Sequence, residues 1–371
     1  MLSVLIARLS RVVVACGAAA LVVSFAASAH AITINWVTVG DPGNAADTTG
    51  APNPAGAVST SFQIMKYEFT NQQYTDFLNS VDANGTNPKS VYNTRMGSNA
   101  RGGISFTSGA ASGSKYAVRS NMGDKPVNYV SWFDAARVSN WLMNGATGTS
   151  STETGAYTLV GGQTSGTAPV VNPGAAFYIP PEDQWYKAAY YKGGSTNAGY
   201  WNYATQSDSA PTAVTAGSTG IGSSGSTGNF ANFNLAADWN SQNGNVTTVG
   251  TNGGASFYGA FDMSGNVREW NDITGVAGIS RGIRGGWFDN ASNLSSSDRG
   301  NAAAGDEYDN LGFRLAAPVA VPEPSTWVMG ASGLACAACG TFRRRRAGLT
   351  PILTRTTGQT AAAESPAAPR S

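Results

Sequence analysis

The hydrophobic pattern is strongest at the two ends of the chain. Residues 12–25 form a mostly apolar run behind Arg8 and Arg11, and Ala29-His30-Ala31 follows as a small-x-small site. This order of basic, apolar and small residues predicts a secretory signal peptide over 1–31. The run is short for a membrane span of about 20 residues. Toward the other end, residues 327–342 are again apolar, with many Ala and Gly, and predict a marginal transmembrane helix. Arg343, Arg344, Arg345 and Arg346 stand behind it and would hold the cytoplasmic side.

Between the ends the periodicity shows three helices. Thr70-x-x-Gln73 reads as a capping box, followed by Tyr74, Phe77 and Leu78 at helical spacing. A second helix starts after Ser131 and runs over 132–143, with Ala135, Val138, Trp141 and Leu142 on one face. The third follows Ile179-Pro180-Pro181-Glu182, where prolines suit a first turn and Glu182 and Asp183 complement the helix dipole. Strand-like runs at 36–39 and 62–67 are separated by long glycine-containing loops, and the patches 144–155 and 216–228 read as surface loops. Neither a linker nor a repeat breaks this body, so it reads as one irregular domain over 32–317. Its core is expected to hold Trp132, Trp141, Trp185, Trp270 and Trp287.

Composition then narrows the chemistry. Of 371 residues only 12 % are charged, while Gly occupies 46 positions. From Ile32 to Thr326 there are 15 Lys and Arg against 21 Asp and Glu, an acidic balance that argues against nucleic acid as a partner. The one histidine, His30, and the three cysteines, Cys16, Cys336 and Cys339, all fall in the terminal segments. A body without thiol or imidazole excludes Ser-His-Asp and Cys-His catalysis, the usual zinc sites, haem held by His or Cys, and disulfides. Any metal there is a hard one held by oxygen.

Two resemblances rest on motifs. Pro322-Glu323-Pro324, the apolar stretch 327–342 and the four arginines, in that order, resemble the PEP-CTERM sorting signal of Gram-negative bacteria. The resemblance assigns 318–346 to sorting and implies signal peptidase and an exosortase as processing partners. It also implies membrane attachment through the C-terminal helix before processing, and a destination at the cell surface or extracellular matrix. Such signals normally stop soon after the arginines. Here 347–371 continue as a polar tail, read as disordered.

The body resembles the formylglycine-generating enzyme, or sulfatase-modifying factor, family. Residues 62–74 (FQIMKYEFTNQQY) look like its EVTNxxY opening, 125–135 (KPVNYVSWFDA) like PVxxVSWxDA, and 178–185 (YIPPEDQW) like RLPTExEW. Residues 258–270 (YGAFDMSGNVREW) are close to GLYDMxGNVWEW, and Arg284-Gly285-Gly286, Arg299 and Gly312-Phe313-Arg314 complete the series. The resemblance implies a single α+β domain of C-type-lectin-like fold with little regular secondary structure.

It also implies a chemistry that the residues do not supply. The family's enzymes oxidise a sulfatase cysteine to formylglycine with oxygen and Cu(I), held by two cysteines downstream of the RGG motif. In that register the cysteine positions fall on Asn290 and Ser295, and Cu(I) is too soft for amide or hydroxyl. Copper is therefore not expected, and no catalytic residue is assigned. Asn290 and Ser295 read either as lining an inherited cleft or as a solvated loop. The family's calcium remains as an expectation. A first site would take side chains of Asp262 and Glu269 with carbonyls of Gly265 and Val267, and a second would use Asn232 and the Phe233 carbonyl. Three functional readings are open. The first is an exported non-catalytic module that binds glycan or protein through the loops at 290–309. The others are a divergent formylglycine-generating oxidase and an accessory partner of one.

Overall fold

Two antiparallel strands, β1 (Trp36–Val39) and β2 (Phe62–Met65), precede the first helix, with Trp36 opposite Met65. This computed structural model describes residues 32–49, 54–273 and 275–319. The expectations for the signal peptide, the sorting motif, the stretch 327–342, the arginine cluster and the polar tail lie outside the described residues. The chain divides into two units, Met1–Val319 and Ala320–Ser371, and the described residues all belong to the first. Among the described residues no helix is long and apolar enough to cross a membrane.

The strand expected over 62–67 ends at Met65, because Lys66 turns its N–H to Asn35 and Glu68 is carried into the interior. Helix α1 (Asn71–Val81) then starts as its sequence requires. The Gln73 N–H donates to the Thr70 hydroxyl, and the Thr70 N–H donates to Gln73 Oε1 at 2.9 Å. Its apolar side buries Tyr74, Phe77 and Leu78. A single turn, α2 (Arg95–Ser98), and a hairpin of β3 (Ile104–Phe106) with β4 (Tyr116–Val118) come next.

Helix α3 (Trp132–Met143) is buried along most of its length and is also opened by a capping box, with Asp134 accepting the Ser131 N–H at 2.8 Å. Helix α4 (Glu182–Tyr190) differs from expectation at its start. Pro181 is the N-cap, with ψ 154°, rather than a first-turn residue, and Glu182 is the first helical position. The parallel pair β5 (Thr212–Ala213) and β6 (Phe230–Ala231) is only two residues long.

The second sheet carries the candidate site. Its strands are β7 (Arg268–Asn271), β8 (Ser280–Arg284), β9 (Gly300–Ala303) and β10 (Leu311–Gly312), ordered β10-β7-β8-β9. The pair β10 and β7 is parallel and the rest antiparallel, so the sheet is mixed. The last strand, β11 (Ala316–Pro318), returns to pair with β2 and closes the first sheet in the order β1-β2-β11. The architecture is α+β, with short elements and long loops.

Two clusters form most of the core. One gathers Trp132, Trp141, Trp270, Phe69, Phe77 and Phe313, and the other packs Trp185, Tyr186 and Tyr190 of α4 against β2. Trp287 departs from the expected core set. It is half-buried and carries the Arg268 guanidinium 4.2 Å from its ring centre.

Charge is buried with the apolar core. The side chains of Glu269 and Arg314 are both 0 % exposed, and the guanidinium donates through Nε and Nη2 to the two carboxylate oxygens, each at 2.6 Å. Removing one partner of such a pair leaves an uncompensated buried ion. Arg314→Met is expected to cost about 3–5 kcal/mol in chemical denaturation. Arg314→Lys should recover only part of that loss, since an ammonium lacks the two-pronged fork. Unfolding midpoints indistinguishable from wild type would show that the pair does not anchor the fold.

Candidate functional site

The turn between Phe261 and Glu269 is built around residues in left-handed backbone. Asp262 has φ 59° and Asn266 φ 65°, and Gly265, at φ 98°, sits where a Cβ would lie 2.5 Å from the Asn232 carbonyl oxygen. This turn carries the expected first calcium set, but its side chains are already engaged. Asp262 accepts the Gly250 N–H and the Asn252 amide, the latter at 2.9 Å. Glu269 accepts both Arg314 bonds and the Trp185 indole N–H at 2.8 Å. A guanidinium already occupies the face of Glu269 that would meet a cation, so the set as arranged does not fit calcium.

The second set fares similarly. Asn232 Oδ1 is buried without a hydrogen-bond partner, as is Glu68 Oε1 in the same network, and these two oxygens favour a cation. The Asn232 amide nitrogen, however, donates to Asn245 O, Thr247 Oγ1 and Asn266 Oδ1, and the Phe233 carbonyl accepts the Ala236 N–H. Calcium takes roughly six to eight oxygens. Among the described residues no three His, Cys, Asp or Glu side chains converge as a metal site. What the two sets form is a buried polar network: Glu68 accepts from Asn266, Asn266 from Asn232, Thr247 donates to Asn252, and Asn252 to Asp262.

Glu68, Asp262 and Glu269 thus face a single guanidinium. Burial first, then the neighbouring carboxylates Asp262 and Glu269, push the Glu68 carboxyl well above its ordinary value. Burial likewise raises Asp262, against the hydrogen bonds that it accepts. Burial opposes the charge on Arg314, but Glu269 outweighs it and holds the guanidinium above its ordinary value.

The RGG turn follows β8. Gly285 and Gly286 take φ 97° and 71°, and a Cβ on Gly286 would lie 2.8 Å from the Asn293 carbonyl oxygen. Arg284 Nε donates to Glu182 Oε1 at 2.8 Å, and its Nη1 donates to the carbonyls of Ser296 and Asp298. Arg299 grips the same carboxylate with Nε and Nη2. Glu182 at the head of α4 therefore clamps two arginines of the motif series, Arg284 and Arg299.

Asn290 and Ser295, the degenerate cysteine positions, lie on the loop thus held. Asn290 is exposed and caps the 3-10 turn Ala291–Asn293, its Oδ1 accepting from the Ser292 N–H and hydroxyl at 2.8 Å each. Ser295 Oγ lies 2.7 Å from Ser297 Oγ. Both make local contacts, with Asn290 exposed and Ser295 half-buried.

A separate cleft of about 450 Å³ opens over β7–β10 and the loop after β9. Arg268, Asn301, Tyr308 and Asn310 line it, and neither Asn290 nor Ser295 does. Ligand loops were expected at 290–309. Only the later part of that span, from Asn301, reaches the cleft, and Arg268 and Asn310 were missed. A signal for Arg268 was present, since the motif GNVWEW has tryptophan at the position where this chain has arginine.

Comparison with known proteins agrees with the motifs. The family described as sulfatase-modifying factor enzyme 1-like domain matches residues 28–319, and the PEP-CTERM protein-sorting motif matches 320–346. Solved structures with similarity include CarF (20 % identity, 77 % of this chain and 99 % of that one, TM-score 0.46). Treponema denticola variable protein 1 matches at 20 % identity over 77 % and 94 % of the two chains, TM-score 0.42. PvdO from Pseudomonas aeruginosa matches at 18 % identity over 78 % and 93 %, TM-score 0.39. No curated protein gives a significant match.

Two outcomes are expected. Chelation with EDTA should leave the melting temperature unchanged, because protein donors already satisfy the turn; a fall that added calcium reverses would reinstate the metal. The second outcome concerns pH. Burial, with Asp134 adding to it, raises the Glu307 carboxyl to about 7, and burial raises Asp134 to about 6 against its Ser131 bonds and Arg137. The folded state therefore binds more protons than the unfolded one between roughly pH 4 and 7, and stability is lost as pH rises through that window. Glu153 works in the opposite sense, since Arg137 holds it below its ordinary value despite burial, but its window lies lower. The melting temperature should be higher at about pH 5 than at about pH 8; the reverse order would refute the assignment.

Proposed function

The chain belongs to the sulfatase-modifying factor enzyme 1-like family, and from that premise we propose that it is a non-catalytic member, a C-type-lectin-like scaffold exported to bind glycan or protein. Its PEP-CTERM motif marks it for export to the bacterial cell envelope and for exosortase processing. Residence at the surface or in the extracellular matrix is part of the proposal.

The observation that carries the reading is the state of the cysteine positions. The residues in that register are Asn290 and Ser295, each tied to its own loop, and residues 32–319 contain no thiol or imidazole that could stand in. Cuprous ion in the family is held by thiolate, and the folded body has no thiolate at these positions or elsewhere to hold it. A serine without a neighbouring base also offers no covalent route.

Purified protein incubated with Cu(I), oxygen and a sulfatase-type cysteine peptide is expected to leave the peptide mass unchanged and to retain no copper after desalting. The mass loss of a thiol-to-aldehyde conversion, or stoichiometric copper loading, would restore the oxidase reading. Saturable binding of the cysteine peptide without conversion would favour an accessory role.

A further inference from the structure

The cleft over β7–β10 has reachable surfaces of an unusual kind. Its apolar floor, Ile283 and Leu311, is only 6 % and 1 % exposed and offers almost nothing to a ligand. What a ligand meets is the Tyr308 ring, 53 % exposed, together with the amides of Asn301 and Asn310 and the Arg268 guanidinium. The Arg268 guanidinium carbon lies 4.2 Å from the centre of the Trp287 ring, and its Nη2 is 3.7 Å from the Asp298 carboxylate.

The wall carrying Tyr308 is braced from within. The Tyr129 N–H donates to the Tyr308 carbonyl at 2.9 Å, and the Asn128 amide donates to the Asp309 carbonyl at 2.8 Å. Tyr129 holds this position in left-handed backbone, φ 57°, which is costly for a bulky side chain and persists only where its surroundings enforce it. Strain stored directly behind an exposed aromatic is a mark of a preorganised surface.

We infer that this cleft binds an uncharged oligosaccharide, with Tyr308 stacking on a sugar face while Asn301, Asn310 and Arg268 hydrogen-bond its hydroxyls. The inference rests on the non-catalytic reading and names the ligand class. A ring face beside planar groups that donate and accept in pairs suits adjacent hydroxyls on a pyranose. The volume falls within the range of small-molecule sites, and the polar groups converge from separate strands. A peptide would require apolar anchor pockets, which the buried floor does not provide. An acidic glycan is disfavoured by the carboxylates of Asp306 and Asp309 on the same wall, although each is engaged, with the Ala303 N–H and with Arg101.

The test is calorimetric titration of the full-length protein with defined neutral oligosaccharides (gluco-, xylo-, manno- and chito-series), with oligogalacturonate and a random-sequence peptide pool as comparison ligands. Saturable binding to a neutral series is expected, weakened about tenfold or more by Tyr308→Ala and retained by Tyr308→Phe. Tyr308 is exposed and only its backbone braces the wall, so the variant should keep the wild-type melting temperature. Absence of binding across the neutral series, preference for oligogalacturonate or peptide, or full binding by Tyr308→Ala would each overturn the inference. Copper-dependent turnover of a cysteine peptide sinks the non-catalytic reading instead, and the titration reads separately from it.

Discussion

The Glu269–Arg314 pair is the constraint around which the domain closes. Arg314 follows β10, yet its Nη1 reaches the Met65 carbonyl, 249 positions upstream, and its Nη2 reaches the Phe261 carbonyl. One planar side chain thus ties the end of β2, the turn before β7 and β7 itself. Only a guanidinium presents donors in a fork wide enough for both carboxylate oxygens and two carbonyls. The surrounding charge also has to balance. With Glu68 and Asp262 nearby, three carboxylates would face one cation, and burial resolves the excess by raising the two that lack the guanidinium's grip.

The same solution recurs where long loops have to be held. Glu182 is shared by Arg284 and Arg299, which fixes the RGG turn and the loop after it to α4. Arg281 donates to the carbonyls of Ala168 and Pro169, tying β8 to another loop. The Asn232–Asn266–Glu68 network does this with amides. A domain with few long elements and no disulfide in its body needs such cross-links, because each removes freedom from a loop that hydrophobic burial alone would leave loose. Four arginines of this acidic body, Arg137, Arg281, Arg284 and Arg314, are buried in this way.

This placement of charge also decides what could be read from the chain alone. Helices α1 and α3 were legible because both begin with a reciprocal capping pair and then bury a periodic face. The β7–β10 sheet was not, because REWN and SRGIR bury Glu269, Asn271, Arg281 and Arg284, positions that a pattern reading assigns to solvent. The motif series fixed the family and the register of Asn290 and Ser295, since those depend on spacing. The calcium expectation depended on which donors surround Asp262 and Glu269, and the decisive one, Arg314, is 45 positions from Glu269. The cleft was half legible for the same reason. Its residues come from four strands and a loop, and exposure, which singles out Tyr308, has no signature in spacing.

The scaffold and the family's cysteine positions are separable at the level of individual bonds. Asn290 caps its own turn and Ser295 contacts a residue two positions away. The bonds these two side chains make stay within their own loop, so the residues at these positions do not brace the fold. Arg284 and Arg299, a few positions to either side, reach across to α4, and the loop keeps its path because they remain. Arg268 shows the complementary change. At a position set by the neighbouring Glu269, whose anchoring to Arg314 is untouched, an indole of the motif is replaced by a guanidinium lying on Trp287. The family frame is retained where side chains cross between elements. The departures at Asn290, Ser295 and Arg268 leave the Glu182 and Glu269 clusters in place, so the architecture and the chemistry at these positions are set by different residues.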